Sequence, residues 1–130
     1  MSRIYAELAI YGDDLDPASI TDVLGLLPSK TWLRGEPKSI RTGTTHDQGC
    51  WKLNTLESSR PLEDHLTVLM VQLANCKNAI RALGSHGNSA VEISVVVRID
   101  DEIPDISLSK SAIKWISEIE AALDIDMYYL

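Results

Sequence analysis

The sequence holds only two cysteines, no long apolar run and too few bases to balance its acids. Each shortage excludes a class of protein. Cys50 and Cys76 have no CxxC companion, so a redox motif is unsupported and both read as reduced, buried apolar residues. No stretch approaches the ~20 residues of a membrane span, and MSRIYAEL at the N-terminus lacks the apolar segment of a signal peptide. Nineteen acids against twelve bases leave a net charge of −7. That excess disfavours non-specific binding to nucleic acid or anionic membrane, since both need positive charge to displace counterions. HExxH, a Walker phosphate loop, GxSxG and the Rossmann glycine pattern are all missing. The expectation is a soluble cytoplasmic protein that is not an enzyme, with no cofactor, no metal, and neither nucleic acid nor membrane as partner.

What is present reads as one α+β domain over residues 1–130. With 45% apolar and 24% charged residues, a chain of 130 residues has enough core to fold without staples. Residues 3–11 alternate, with Ile4, Ala6, Leu8 and Ile10 on one face and Arg3, Tyr5, Glu7, Ala9 and Tyr11 on the other. Asp16 followed by Pro17 is a helix-start signal, and Ile20, Val23, Leu24 and Leu27 follow at the spacing of one helical face before Gly25 and Pro28 stop it. Residues 31–36 and 50–55 read as a hairpin with a long polar connection. Pro61 opens one long helix over 61–83, lined by Leu62, Leu66, Leu69, Leu73, Ile80 and Leu83, with Gly84 placed to end it. Residues 90–100 form a second alternating strand. Ser109 caps a last helix with Ile113, Ile116, Ile119 and Leu123 as its stripe, and 125–129 make a final strand.

The order β-α-β-β-α-β begins as the ferredoxin-like split βαβ sandwich and adds a C-terminal helix and strand. Strand alternation puts the helices on one face of one sheet. The other face would present Tyr5, Glu7, Tyr11, Glu92, Ser94, Val96 and Arg98, either solvated, partly covered by the last helix or a second copy, or used for docking. An RNA-recognition module shares this topology, but its aromatic signature is absent, and Glu7 interrupts the face.

Charge is unevenly spread. Residues 29–52 sum to +3, against −4 for 1–28 and −6 for 53–130. The basic island offers Arg34, Lys38 and Arg41 to hold an anion, with Trp32 or Trp51 packing over it; the favoured alternative makes both tryptophans core or rim packing and leaves the bases solvated. Acids gather at turns instead: Asp13, Asp14 and Asp16, then Asp100, Asp101, Glu102 and Asp105, then Asp124 and Asp126. The first cluster lacks calcium-loop spacing, and capping explains these acids better. Together they make a field that attracts a basic protein. His46, His65 and His86 are scattered, and an enzyme using His46 or His65 is the third alternative.

Several segments resemble one bacterial family, domain of unknown function 4279. They are Gly12-Asp13-Asp14-Leu15-Asp16-Pro17, Ile20-Thr21, Leu24-Gly25, Pro28-Ser29, Gly35, Trp51, Leu62-Glu63-Asp64-His65-Leu66 and Leu123-Asp124-Ile125-Asp126-Met127-Tyr128. The resemblance implies a small bacterial cytoplasmic protein and supplies no reaction or catalytic residues. Families of this character often include immunity proteins, which neutralise a toxin by occluding it. On that reading the loops at Asp13–Asp16 and Asp100–Asp105 are the electrostatic contacts, with Tyr11 and Tyr128 as aromatic anchors. A small-ligand sensor using the basic hairpin is the alternative, and a homodimer is a further arrangement open to the sheet.

Overall fold

The computed structural model describes residues 1–130 and is α+β, with one five-stranded sheet and four helices. In chain order the elements are β1 (Arg3–Gly12), α1 (Pro17–Leu24), β2 (Lys30–Trp32), β3 (Gly49–Asn54), α2 (Leu62–Gln72), α3 (Lys77–His86), β4 (Ala90–Ile99), α4 (Lys110–Glu118) and β5 (Ala122–Tyr129). The strands lie in the order β2-β3-β1-β4-β5. Neighbours run antiparallel except β4 and β5, which are parallel and joined through α4. The sheet therefore carries one strand more than a four-stranded ferredoxin-like arrangement, at the edge beyond β4.

The alternation in β1 and β4 decides which side is core. Ile4, Ala6, Leu8 and Ile10 join Val91, Ile93, Val95, Val97 and Ile99 in one buried cluster. All four helices contribute to that same cluster, through Ile20 and Leu24, Leu62, Leu66 and Leu69, Ile80, and Ala112, Trp115 and Ile116. The helices therefore cover one face of the sheet. At α1 the expected cap is made: the Asp16 carboxylate accepts from the Ala18 amide at 3.2 Å, and Gly25 ends the helix at φ 68°.

Several local expectations change. The single helix over 61–83 is two helices, broken between Gln72 and Lys77. Leu73 and Ile80 are seven residues apart and both fully buried, so the apolar spacing runs through the break without showing it. The break lets α2 lie on β1 and α3 on β4, and no straight helix follows two strands of a twisted sheet equally. Gly84 lies inside α3, close under Val91, and the helix runs on to His86. In α4 the stripe is Ala112, Trp115, Ile116 and Ile119, while Ile113 is exposed and Leu123 belongs to β5. Val23 and Leu27, expected on the buried face of α1, are also exposed.

The cysteines are free and separated by the sheet. Cys50 lies on the helix-free face, whereas Cys76 packs in the core with its thiol against the Leu24 carbonyl. No helix is long and apolar enough to cross a membrane.

Candidate functional site

Strand register assembles the helix-free face row by row. Trp32, Cys50, Tyr11 and Ala90 form one row, followed by Lys30, Lys52, Ala9, Glu92 and Ala122. The next rows are Asn54, Glu7, Ser94 and Asp124, then Tyr5, Val96 and Asp126, then Arg3, Arg98 and Tyr128. The middle of this face is small and closed over: Ala9, Glu7, Ser94 and Val96 are all buried although no helix covers them. Longer side chains flank them in the register, Lys52 and Glu92 beside Ala9 and Tyr5 beside Val96.

Lys52 is the centre of this cover. Its ammonium lies 3.1 Å from the Glu7 carboxylate, 5.1 Å from the centroid of Trp32 and 5.8 Å from that of Tyr11. Burial alone would lower the Lys52 pKa, but the attraction and hydrogen bond of Glu7 outweigh it, and the pKa is raised. Burial pushes the Cys50 thiol up to about 12 despite the nearby Lys52 charge, so this cysteine is not a nucleophile at neutral pH. Tyr5 and Tyr11 are likewise raised, chiefly by burial. At the other end of the face the Arg98 guanidinium donates to Glu57 at 2.7 Å, and Arg3 reaches the same carboxylate at 3.6 Å.

The face is electrically polarised. Lys30 and Lys52 occupy the β2–β3 side, and Glu92, Asp124 and Asp126 the β4–β5 side. The two acidic loops lie at opposite ends of the sheet, because Tyr11 pairs with Ala90 and Arg3 with Arg98. Ten residues of β1 separate them by about 30 Å. They are therefore two flanks of the open face, one at each end. Tyr11 stands on that face near Asp13 and Asp14, and Tyr128 stands near Asp100.

Several of these acids already have work in the fold. Asp16 caps α1, Asp13 accepts from the Gln48 amide at 3.2 Å, Asp100 receives the Met1 ammonium at 2.6 Å, and Asp105 accepts from Ser107. Asp14, Asp101 and Glu102 are exposed.

The basic island is a hairpin tongue over residues 33–48, tied by a Pro37–Thr45 bridge and by hydrogen bonds between Gly35, Glu36 and His46. Arg34, Lys38 and Arg41 are exposed on it and make no ion pair. The tryptophans pack as core and rim residues and do not lie open over an anion site. Trp51 is fully buried on the helix side, its indole N–H donating to Thr21 at 3.0 Å, because its place in β3 points it into the core. Trp32 stacks on His46 at 4.1 Å and donates to the Gln48 carbonyl, and the Lys30 and Lys52 ammoniums lie against its ring. Its aromatic surface is already engaged.

A cluster not visible in the sequence lies at a surface cleft of about 700 Å³ lined by Thr55, Ser58, Arg60, Asp64 and His65. Buried His65 has Nδ1 2.7 Å from Thr55 Oγ1 and Nε2 3.1 Å from Ser58 Oγ. A serine and histidine so placed invite a nucleophile reading. The surrounding bonds favour the opposite polarity. Thr55 Oγ1 accepts from the Ala6 amide at 3.1 Å, so its own proton is free for Nδ1. His65 then carries its proton on Nε2 and donates it to Ser58, whose oxygen also accepts from the Arg60 amide. A serine on the accepting side of its histidine is not activated. The trio instead pins the 55–58 segment, which bridges back to β1 at Ile4, onto α2. Thr55 and Ser58 stand ten and seven residues from His65 in irregular chain, and no motif spacing announces them.

No curated protein and no solved structure matches the chain. A family model described as "Domain of unknown function (DUF4279)" matches residues 2–130, nearly every residue placed above. With the match running through β1, the capped α1, the α2 segment around His65 and the edge strand β5, the chain belongs to the DUF4279 family.

Proposed function

We propose that this protein is a non-catalytic binding module of the immunity type, acting in the cytoplasm, that holds a toxin domain against the open face of its sheet. One observation carries the reading: a helix-free face about 30 Å long sets Tyr5, Tyr11 and Tyr128 around a closed centre, with acidic loops flanking both ends. Tyrosines on a rigid strand scaffold are good anchors, because they bury much area while losing little rotamer freedom. The acidic side of the face and the overall charge of −7 suit a basic partner and speed its encounter. The first four strands, in order β2-β3-β1-β4 with β3 between β2 and β1, support the ferredoxin-like split arrangement as the core of this scaffold.

The test is binding of the purified chain to a toxin domain encoded beside its gene, measured calorimetrically at low and at moderate salt. Tyr11→Ala and Tyr128→Ala should each weaken the complex by about tenfold or more. Absence of any complex at low salt, or wild-type affinity in both variants, would sink the reading. A second reading has its own support. Arg34, Lys38 and Arg41 find no carboxylate in a chain with nineteen acids, so the tongue is a candidate anion sensor. Trp32 emission should then respond to anionic metabolites, and should not respond in the Arg34→Ala/Arg41→Ala variant.

A further inference from the structure

The geometry points to a second copy of this chain as the occupant of the β5 edge, the two β5 strands pairing antiparallel about a two-fold axis at Met127. Edge strands are usually guarded by shortness, lysine, proline or a covering element. The other edge follows the rule: β2 has three residues, one of them Lys30, and continues into the tongue. The eight residues of β5, ALDIDMYY, include no lysine, arginine, proline or glycine, and their two charges, Asp124 and Asp126, stand on the open face and leave the helix side of the strand apolar.

The unpaired backbone groups can be identified. The Leu130 amide donates to the Ile99 carbonyl, so even-numbered residues turn their amides toward β4. By the alternation of a parallel ladder, Leu123, Ile125, Met127 and Tyr129 turn theirs outward. The same four side chains stand on the helix side, in register with core residues Ile93, Val95, Val97 and Ile99, yet Leu123 is 41% exposed, Met127 51% and Tyr129 81%. An unused hydrogen-bonding edge thus coincides with an apolar strip.

Charge then selects the register. A two-fold axis at Asp124 or Asp126 would set identical carboxylates opposite each other, and an axis at Ile125 would set Asp124 against Asp126; directly opposed like charges destabilise a strand pair. An axis at Met127 places Asp126 opposite Tyr128, Asp124 opposite Leu130, Ile125 opposite Tyr129 and Met127 opposite itself. Met127, Ile125 and Tyr129 are also the residues whose amides face outward, so this register closes about six backbone hydrogen bonds. An axis at Tyr128 also avoids opposed carboxylates but closes fewer. The result is one continuous sheet with all helices on one side, and both open faces stay free.

Sedimentation velocity of the purified chain from about 1 to 500 μM should show a reversible monomer–dimer equilibrium. Met127→Lys sets two ammoniums together on the axis at a half-exposed site, and should raise the dimer Kd by about tenfold or more, with the circular dichroism and the melting temperature of the dilute monomer unchanged. Register is read separately by oxidation: Met127→Cys should form a covalent dimer, Ile125→Cys alone should not, and Ile125→Cys/Tyr129→Cys should. A monomer throughout the range, wild-type association in Met127→Lys, or no cross-link in Met127→Cys would each overturn the proposal. None of these outcomes bears on whether a toxin binds the open face.

Discussion

Lys52 serves two kinds of neighbour at once, neutralising the carboxylate of Glu7 and setting its ammonium against the rings of Tyr11 and Trp32. Both side chains are mostly withdrawn from water, at 19% and 9% exposure, so losing one partner is costly while losing both together is not. Lys52→Met should destabilise the fold by about 2–4 kcal/mol in urea unfolding, and Glu7→Gln/Lys52→Met should recover at least half of that. Equal losses in the single and double variants would show the pair to be uncoupled. His65 gives a pH signature. Burial holds its pKa below the usual 6.5, so as pH falls the unfolded chain binds the proton first. Its contribution is complete above about pH 6.5 and is lost as pH falls through that value toward the folded pKa. The stability gap between wild type and His65→Gln should therefore be widest near pH 7.5 and narrow by pH 5.5. A constant gap would show that His65 keeps its ordinary affinity for protons in the fold. At this scale the sequence was half readable. Glu7 already stood out as the acid interrupting the face, but Lys52 was one base among several in the 29–52 segment, since only the β1–β3 register brings the two together.

The elements that were legible are those whose signals are local. Asp16, Pro17 and Gly25 mark α1 because a cap, a pre-set φ and a left-handed stop act within a few residues. Asp16→Ala should cost about 1 kcal/mol in thermal or urea unfolding, while the neighbouring exposed Asp14→Ala should change stability by less than about 0.5 kcal/mol. Equal effects would assign the Asp16 contribution to charge and not to capping. The elements that were misread depend on distant surfaces. The break between α2 and α3 answers the twist of the sheet beneath, and nothing in residues 73–76 compels it. The tongue read as an unstructured connection because its bridge pairs Pro37 with Thr45, a proline with a threonine. For β5 the sequence signalled a strand but started it late, at 125 and not at Ala122.

Over the whole molecule, the class of fold and the side that carries core were readable, because two ten-residue strands alternate without interruption. The candidate surface was readable as a list of residues but not as a shape. The acidic turns could be named but not placed, and prove to be two flanks in space; Trp32 and Trp51 could be paired with the bases or with the core, and Trp51 is core. Both points stayed open for one cause, since exposure belongs to the assembled sheet and is not a property of a residue type. The segments that resemble the family are caps, core leucines and strand ends, which specify a scaffold.

The position of β1 has a consequence for how the chain acquires its structure. The strand made first is the middle of the sheet, and its two neighbours begin at Gly49 and Ala90. Until both have emerged from the ribosome, Ile4, Leu8 and Ile10 have no lasting shelter. Ordering must wait for encounters across most of the chain, a topology that sets folding in milliseconds to seconds and not microseconds. The nascent β1 segment is then the stretch most in need of chaperone protection, and the β4 segment is the one whose arrival ends that need.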